Sequence, residues 1–133
     1  MSNYRNFIFA RVQFTIIAII CVCTFSTCGG PHSNPERVVR AWIEAIVAGD
    51  CEKAASYYAP YVRNEVKLAC GPDAIYPILR ARIDEMWVEQ SPWDPNVMWV
   101  NVYGEIERRD LGTSDYWQFA VIQINGKWYF LHD

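Results

Sequence analysis

Residues 97–131, VMWVNVYGEIERRDLGTSDYWQFAVIQINGKWYFL, are where the period of the chain becomes two. Met98, Val100, Val102 and Ile106 alternate with Trp99, Asn101, Tyr103 and Glu105, the pattern of a strand buried on one face. Gly104 marks a position for a bulge. A charged turn from Arg108 to Asp115 leads to a second strand, Tyr116 to Ile124. Asn125-Gly126 is the preferred two-residue hairpin turn, because both central positions need positive φ. Lys127 to His132 then returns as a third strand.

Upstream the period is 3.6. Ser33-Asn34-Pro35-Glu36 reads as a capping box with proline in the first turn. Val38, Ala41, Trp42, Ala45 and Ile46 follow at helical spacing, and Gly49 stops the helix. Asp50 caps a second, shorter helix through Ala54, Ala55, Tyr57 and Tyr58, ending before Pro60. Residues 61–70 are ambiguous between helix and irregular structure. Pro77 predicts a third helix through about Glu89, with Ile78, Leu79, Ile83, Met86 and Trp87 as its apolar face. Residues 91–96, Ser-Pro-Trp-Asp-Pro-Asn, read as a loop. Helices followed by antiparallel strands predict an α+β domain in which a curved sheet wraps helices.

The beginning of the chain has a different character. Arg5 and Arg11 are the only charges before Glu36, and they precede an apolar run from Val12 to Phe25. That run is shorter than the roughly 18–20 residues a spanning helix needs, and it has the length of a signal-peptide core. Phe25-Ser26-Thr27-Cys28 resembles the lipobox of bacterial lipoproteins, in which the cysteine becomes the lipidated first residue after cleavage. Gly29 suits that reading, whereas Phe25 and Thr27 depart from the family's Leu and Gly or Ala. The resemblance implies diacylglycerol and an amide-linked acyl chain such as palmitate on Cys28, and a protein held on a membrane of the cell envelope. Ordinary cleavage followed by secretion is the alternative.

Beyond Cys28 lie all fifteen acidic residues and ten of the twelve basic ones, a formal charge of about −5. An acidic chain with no basic cluster argues against nucleic acid, whose binding rests on neutralising phosphates. The length fits one domain with one core. Six Trp, eight Tyr and six Phe in the chain make that core, or a pocket in it, rich in aromatic rings. Cys51 and Cys70 remain as an even pair in an exported chain, which favours a disulfide over two buried thiols. No Cys-x-x-Cys or Cys/His cluster suggests zinc, and nothing in the sequence calls for a cofactor.

Asn34-Pro35-Glu36-Arg37-Val38-Val39-Arg40-Ala41-Trp42, then Ala45 and Ala48-Gly49-Asp50-Cys51-Glu52-Lys53-Ala54-Ala55, resembles the opening of the nuclear transport factor 2-like superfamily. Gly126-Lys127-Trp128 resembles its terminal strand. The nearest likeness is to small bacterial lipoproteins of that fold with no assigned function. It covers about 34–59 and 97–131 and implies a cone-shaped, cystatin-like fold, with N-terminal helices packed on a curved antiparallel sheet. On this reading residues 1–27 are a signal peptide, 28–34 a tether and 35–133 the domain.

The superfamily includes enzymes and non-enzymes alike, so fold does not give function. The expected pocket would draw on Trp42, Tyr57, Tyr61, Trp87, Trp99 and Tyr103. A binding or interaction domain for a small apolar ligand or peptide is the leading expectation, and a homodimer formed through the sheet is another. The alternative is a small lyase or isomerase. It would place an acid/base such as Asp84 or Glu85 of the third helix in the cone, but that pair also suits a solvated face, and no catalytic residue is assigned. His32 in the tether and His132 at the chain end are expected to be exposed.

Overall fold

The computed structural model describes residues 29–132. A 3-10 turn, Pro31–Ser33, leads into helix α1, Pro35–Ala48, then α2, Cys51–Tyr57, a second 3-10 turn, Pro60–Glu65, and the single-turn α3, Val66–Ala69. Four strands follow: β1, Ile78–Gln90; β2, Val97–Arg108; β3, Gly112–Ile124; and β4, Lys127–His132. They form one antiparallel sheet in the order β1-β2-β3-β4. The class is α+β, as expected, with helices preceding an open antiparallel sheet.

The ends of α1 follow from local chemistry. Asn34 is its cap, accepting the Arg37 N–H on its side-chain oxygen at 2.8 Å. Ser33, expected in that role, instead accepts from the Arg37 guanidinium at 3.3 Å. Gly49 ends the helix in the left-handed conformation, φ 72°, and the Gly49 and Asp50 N–H groups donate to Ile46 and Ala45 carbonyls. Only a residue without Cβ adopts that turn at low cost. Asp50 caps α2 through the Lys53 N–H at 3.1 Å.

The expected third helix from Pro77 to Glu89 is β1. The reason is a break in strand period: the register against β2 shifts between Ile83 and Glu85. Ala81 and Ile83 face the core before the shift, and Met86 and Val88 after it. One extra residue converts a spacing of two into a spacing of three, and Ile83 to Met86 then imitates a helix face. Residues 61–70, ambiguous in the sequence, are the 3-10 turn and α3.

Opposite the β1 shift stands Gly104. A Cβ there would lie 2.0 Å from the Arg82 carbonyl oxygen, so the two backbones approach as only glycine allows. A further shift separates Tyr103 from Ile106 in the β2–β3 pairing. Bulges of this kind bend strands and increase twist. Asn125 and Gly126 turn the last hairpin at φ 51° and 78°, as the sequence requires.

The edge strand β4 is covered. Ala59 N–H donates to the Phe130 carbonyl at 2.8 Å, and the His32 ring takes the Trp128 carbonyl at 2.7 Å. Cys51 and Cys70 are joined by a disulfide across 19 residues of sequence. It fastens the start of α2 to the residue that ends α3, the stretch with the least regular structure of its own. No helix among the described residues is long and apolar enough to cross a membrane. The expected lipid attachment at Cys28 and the expected signal peptide lie outside the described residues.

Candidate functional site

The sheet has two faces of opposite composition. Met98, Val100, Val102 and Ile106 on β2, Trp117, Phe119 and Val121 on β3, and Trp128 and Phe130 on β4 face the helices. There Trp42 stacks on Phe130, and Phe119 and Tyr58 close around it at 5.8 and 6.0 Å. Rings therefore occupy the space beneath the sheet. The indole Nε1–H groups of Trp42 and Trp117 are buried there with no hydrogen-bond partner. The Arg108 guanidinium lies 4.9 Å from the Tyr76 ring and 5.1 Å from the Trp117 ring. It also binds Asp110 at 2.6 Å, and this bond holds the Asp110 carboxyl below its ordinary range.

The outer face is a second aromatic layer, organised around one amide. On the central strand β2, Asn101 pairs with Trp87 of β1 and Gln118 of β3. Its side chain is buried, with 1% of its surface exposed. Its Oδ1 accepts from the Tyr116 hydroxyl at 2.6 Å and from Gln118 Nε2 at 3.0 Å. Its Nδ2 has no partner. That amide orientation is set by the two donors that converge on the oxygen.

Aromatic side chains surround this network. Trp87 approaches Tyr116 at 6.1 Å and donates its Nε1–H to Glu89 at 3.3 Å. Trp99 meets the His132 ring edge to face at 5.9 Å. Tyr103 pairs with Tyr116 across β2 and β3, and each is 47% exposed.

Beside the same face, Arg82 bridges Asp84 at 3.2 Å and Glu105 at 3.4 Å. Those carboxylates hold the Arg82 guanidinium above its usual range, the Asp84 bond being the larger cause. With Tyr103, Gly104, Thr113, Ser114 and Asp115 these residues outline an open polar hollow of about 450 Å³. A smaller apolar groove of about 280 Å³ runs between α1 and β1 over Ile43, Val47, Ala81 and Ile83.

The six expected pocket residues do not converge. Trp42 and Tyr57 belong to the core, and Tyr61 stands 66% exposed on the 3-10 turn after α2. Trp87, Trp99 and Tyr103 share the outer face. Asp84 and Glu85 stand exposed at the β1 bulge rather than on a helix. His32, expected exposed, is half-buried, its ring 5.7 Å from Tyr57 and 4.7 Å from Tyr129. Asn101, Tyr116 and Gln118 were not anticipated. Their signal was an amide between Trp99 and Tyr103 in strict alternation on a strand with neighbours on both sides. Among the described residues no three His, Cys, Asp or Glu side chains are grouped to hold a metal ion.

The sequence matches no established family profile. It is similar to an uncharacterized protein of Aquifex aeolicus (strain VF5), 23% identical over 137 residues, which span 90% of this chain and 89% of the relative.

Proposed function

We propose that this chain is an exported, lipid-anchored interaction domain with a nuclear transport factor 2-like fold, and that it engages a protein or peptide through the outer face of its sheet. The observation that carries this reading is the buried Asn101 amide, whose Nδ2–H has no acceptor although Trp87, Trp99, Tyr103 and Tyr116 surround its site. A buried donor left unpaired costs about 1–3 kcal/mol. Violations of that kind concentrate at functional sites, and the half-exposed Tyr103 and Tyr116 rings beside it offer a partner its contact surface. Tyr and Trp suit such a surface, giving large contact area with few rotatable bonds.

Helices followed by a bulged antiparallel sheet agree with the fold implied by residues 34–59 and 97–131. The lyase or isomerase reading needs a titratable group inside the cone. No Asp, Glu, His, Lys or Arg side chain is buried among the described residues. Anchoring rests on the Phe25-Ser26-Thr27-Cys28-Gly29 stretch. Acylation by diacylglycerol and a further chain exceeds the two hydrophobic signals that stable membrane attachment requires.

The test uses the full chain in a bacterial host, carrying a photocross-linking amino acid in place of Tyr103 or, as a control, Tyr61. An adduct formed from position 103 and not from 61 supports the reading. An adduct of twice the chain mass identifies a second copy as the partner. Equal labelling from both positions, or none from 103, overturns it. In the same host Cys28→Ser should leave the membrane fraction and lose its acyl mass. Wild type and variant appearing together in the soluble exported fraction would end the anchored reading.

A further inference from the structure

We infer that Trp93 is a membrane-interface contact, holding the tether-bearing end of the domain flush against the lipid headgroups. This rests on the anchored reading above. Trp93 is 86% exposed, the most of any exposed large hydrophobic residue described. It is held outward by a loop that is fixed at every step. Ser91 Oγ accepts the N–H groups of Trp93 and Asp94 at 3.2 and 3.4 Å, and Asp94 Oδ1 accepts from Asn96 at 2.8 Å. Gln90 Nε2 donates to the carbonyls of Asp94 and Pro95. Pro92 and Pro95 lock two further φ angles. A bare indole on a preorganised tip is a surface prepared for an occupant.

The tether enters the fold at the same end. The Asn96 carbonyl accepts from Gln123 N–H at 3.3 Å, which places the loop beside the Asn125-Gly126 turn. Two residues past that turn, the Trp128 carbonyl takes the His32 ring. Arg40 reaches Met86 at 3.4 Å, while Val47 and Ala48 border a groove with Ala81 and Ile83. Helix α1 therefore runs opposite to β1, and its first turn lies near the end of β1 from which the Trp93 loop springs.

His32 lies between Tyr57 and Tyr129, so the chain is fastened to the fold almost from its entry at Pro31. Cys28 precedes Pro31 by three residues, a reach of at most about 11 Å. The headgroup layer is itself roughly 5–8 Å deep on each side of a bilayer. A domain on so short a lead keeps this end at the interface. Tryptophan partitions there because its ring is apolar and its N–H needs a polar partner. A domain charge of about −5 gives no electrostatic help on an anionic surface, which leaves the apolar tip as the contact.

The test is tryptophan emission of the full-length lipidated protein in vesicles of phosphatidylethanolamine and phosphatidylglycerol, with or without brominated phosphatidylcholine. Intact mass confirms the acyl chains beforehand. Brominated lipid should quench part of the emission in wild type and in Trp87→Phe, and the quenched part should vanish in Trp93→Phe. Acylated protein in which Trp93→Phe leaves the quenching unchanged overturns the inference while anchoring stands. A protein without acyl mass overturns the anchored reading and this inference with it.

Discussion

The indole of Trp42 lies parallel to the Phe130 ring, with centroids 4.0 Å apart and planes 9° from coincidence. It joins α1 to the edge strand β4 at the centre of the core, and Trp42 keeps 3% of its surface exposed. Trp42→Ala is expected to cost about 3–5 kcal/mol, the range for deleting a buried tryptophan. Trp42→Phe should cost much less, because it keeps the stack and also removes a buried N–H that has no partner. Chemical-denaturation midpoints of the two variants measure the difference. Equal midpoints for wild type and Trp42→Ala would place the ring outside the core.

Gly104 tests the bend in the sheet. Its missing side chain makes room for the Arg82 carbonyl, 2.0 Å from where a Cβ would stand. The obstacle is backbone on a paired strand, so no side-chain rotation relieves it. Gly104→Ala should destabilise the fold by at least about 1–3 kcal/mol, as overpacking does. Gly126→Ala, in the hairpin turn with no atom close to its Cβ position, separates conformational strain from steric conflict. If Gly104→Ala were the milder of the two, the close approach would not be what holds the bulge.

Much of this fold was legible because its signals are local. Asn125-Gly126 specifies its turn through φ alone, and Gly49 and Asp50 punctuate two helices through local bonds that need no distant partner. The β1 strand was not legible. Its alternation is broken at Asp84, and its Arg and Glu residues suit a helix as well as a solvated strand face. The six expected pocket residues are divided between layers for a related reason. Trp42 and Trp99 are equally aromatic in sequence, but Trp42 faces the sheet from α1, whereas only the register of β2 against its neighbours decides which layer Trp99 joins. Asn101 was hidden further, since its burial comes from the side chains of two other strands.

The disulfide makes a prediction about the helical layer. Cys51 and Cys70 enclose α2, a 3-10 turn and α3, none of which is long enough to persist alone. Closing a loop of this size is expected to stabilise the fold by about 2–4 kcal/mol, on a loop-entropy account. Reduction, or paired replacement by serine, should lower the unfolding midpoint accordingly. Alkylation of the oxidatively folded protein without reductant should leave both cysteines unlabelled. Labelling of both would remove the bond and the prediction together.

Asn101 offers the sharpest separation of stability from function. Asn101→Val places a β-branched residue on a central strand, where it is favoured. It removes both the acceptor of two hydrogen bonds and the Nδ2–H that has none. Tyr116 is 47% exposed and can turn its hydroxyl to water, so loss of the acceptor should be mild. Gln118 is only half-buried, so its stranded amide can also turn to water, which keeps the cost at the low end for a lost hydrogen-bond partner. The expected result is an unfolding free energy within about 1 kcal/mol of wild type, accompanied by loss of cross-linking from position 103. A stabilised variant that still cross-links fully would make Asn101 a tolerated core defect and move the binding surface elsewhere. A strongly destabilised variant would show that the Tyr116–Asn101–Gln118 network holds the sheet together, and Tyr103→Ala would then be the substitution that reads binding alone.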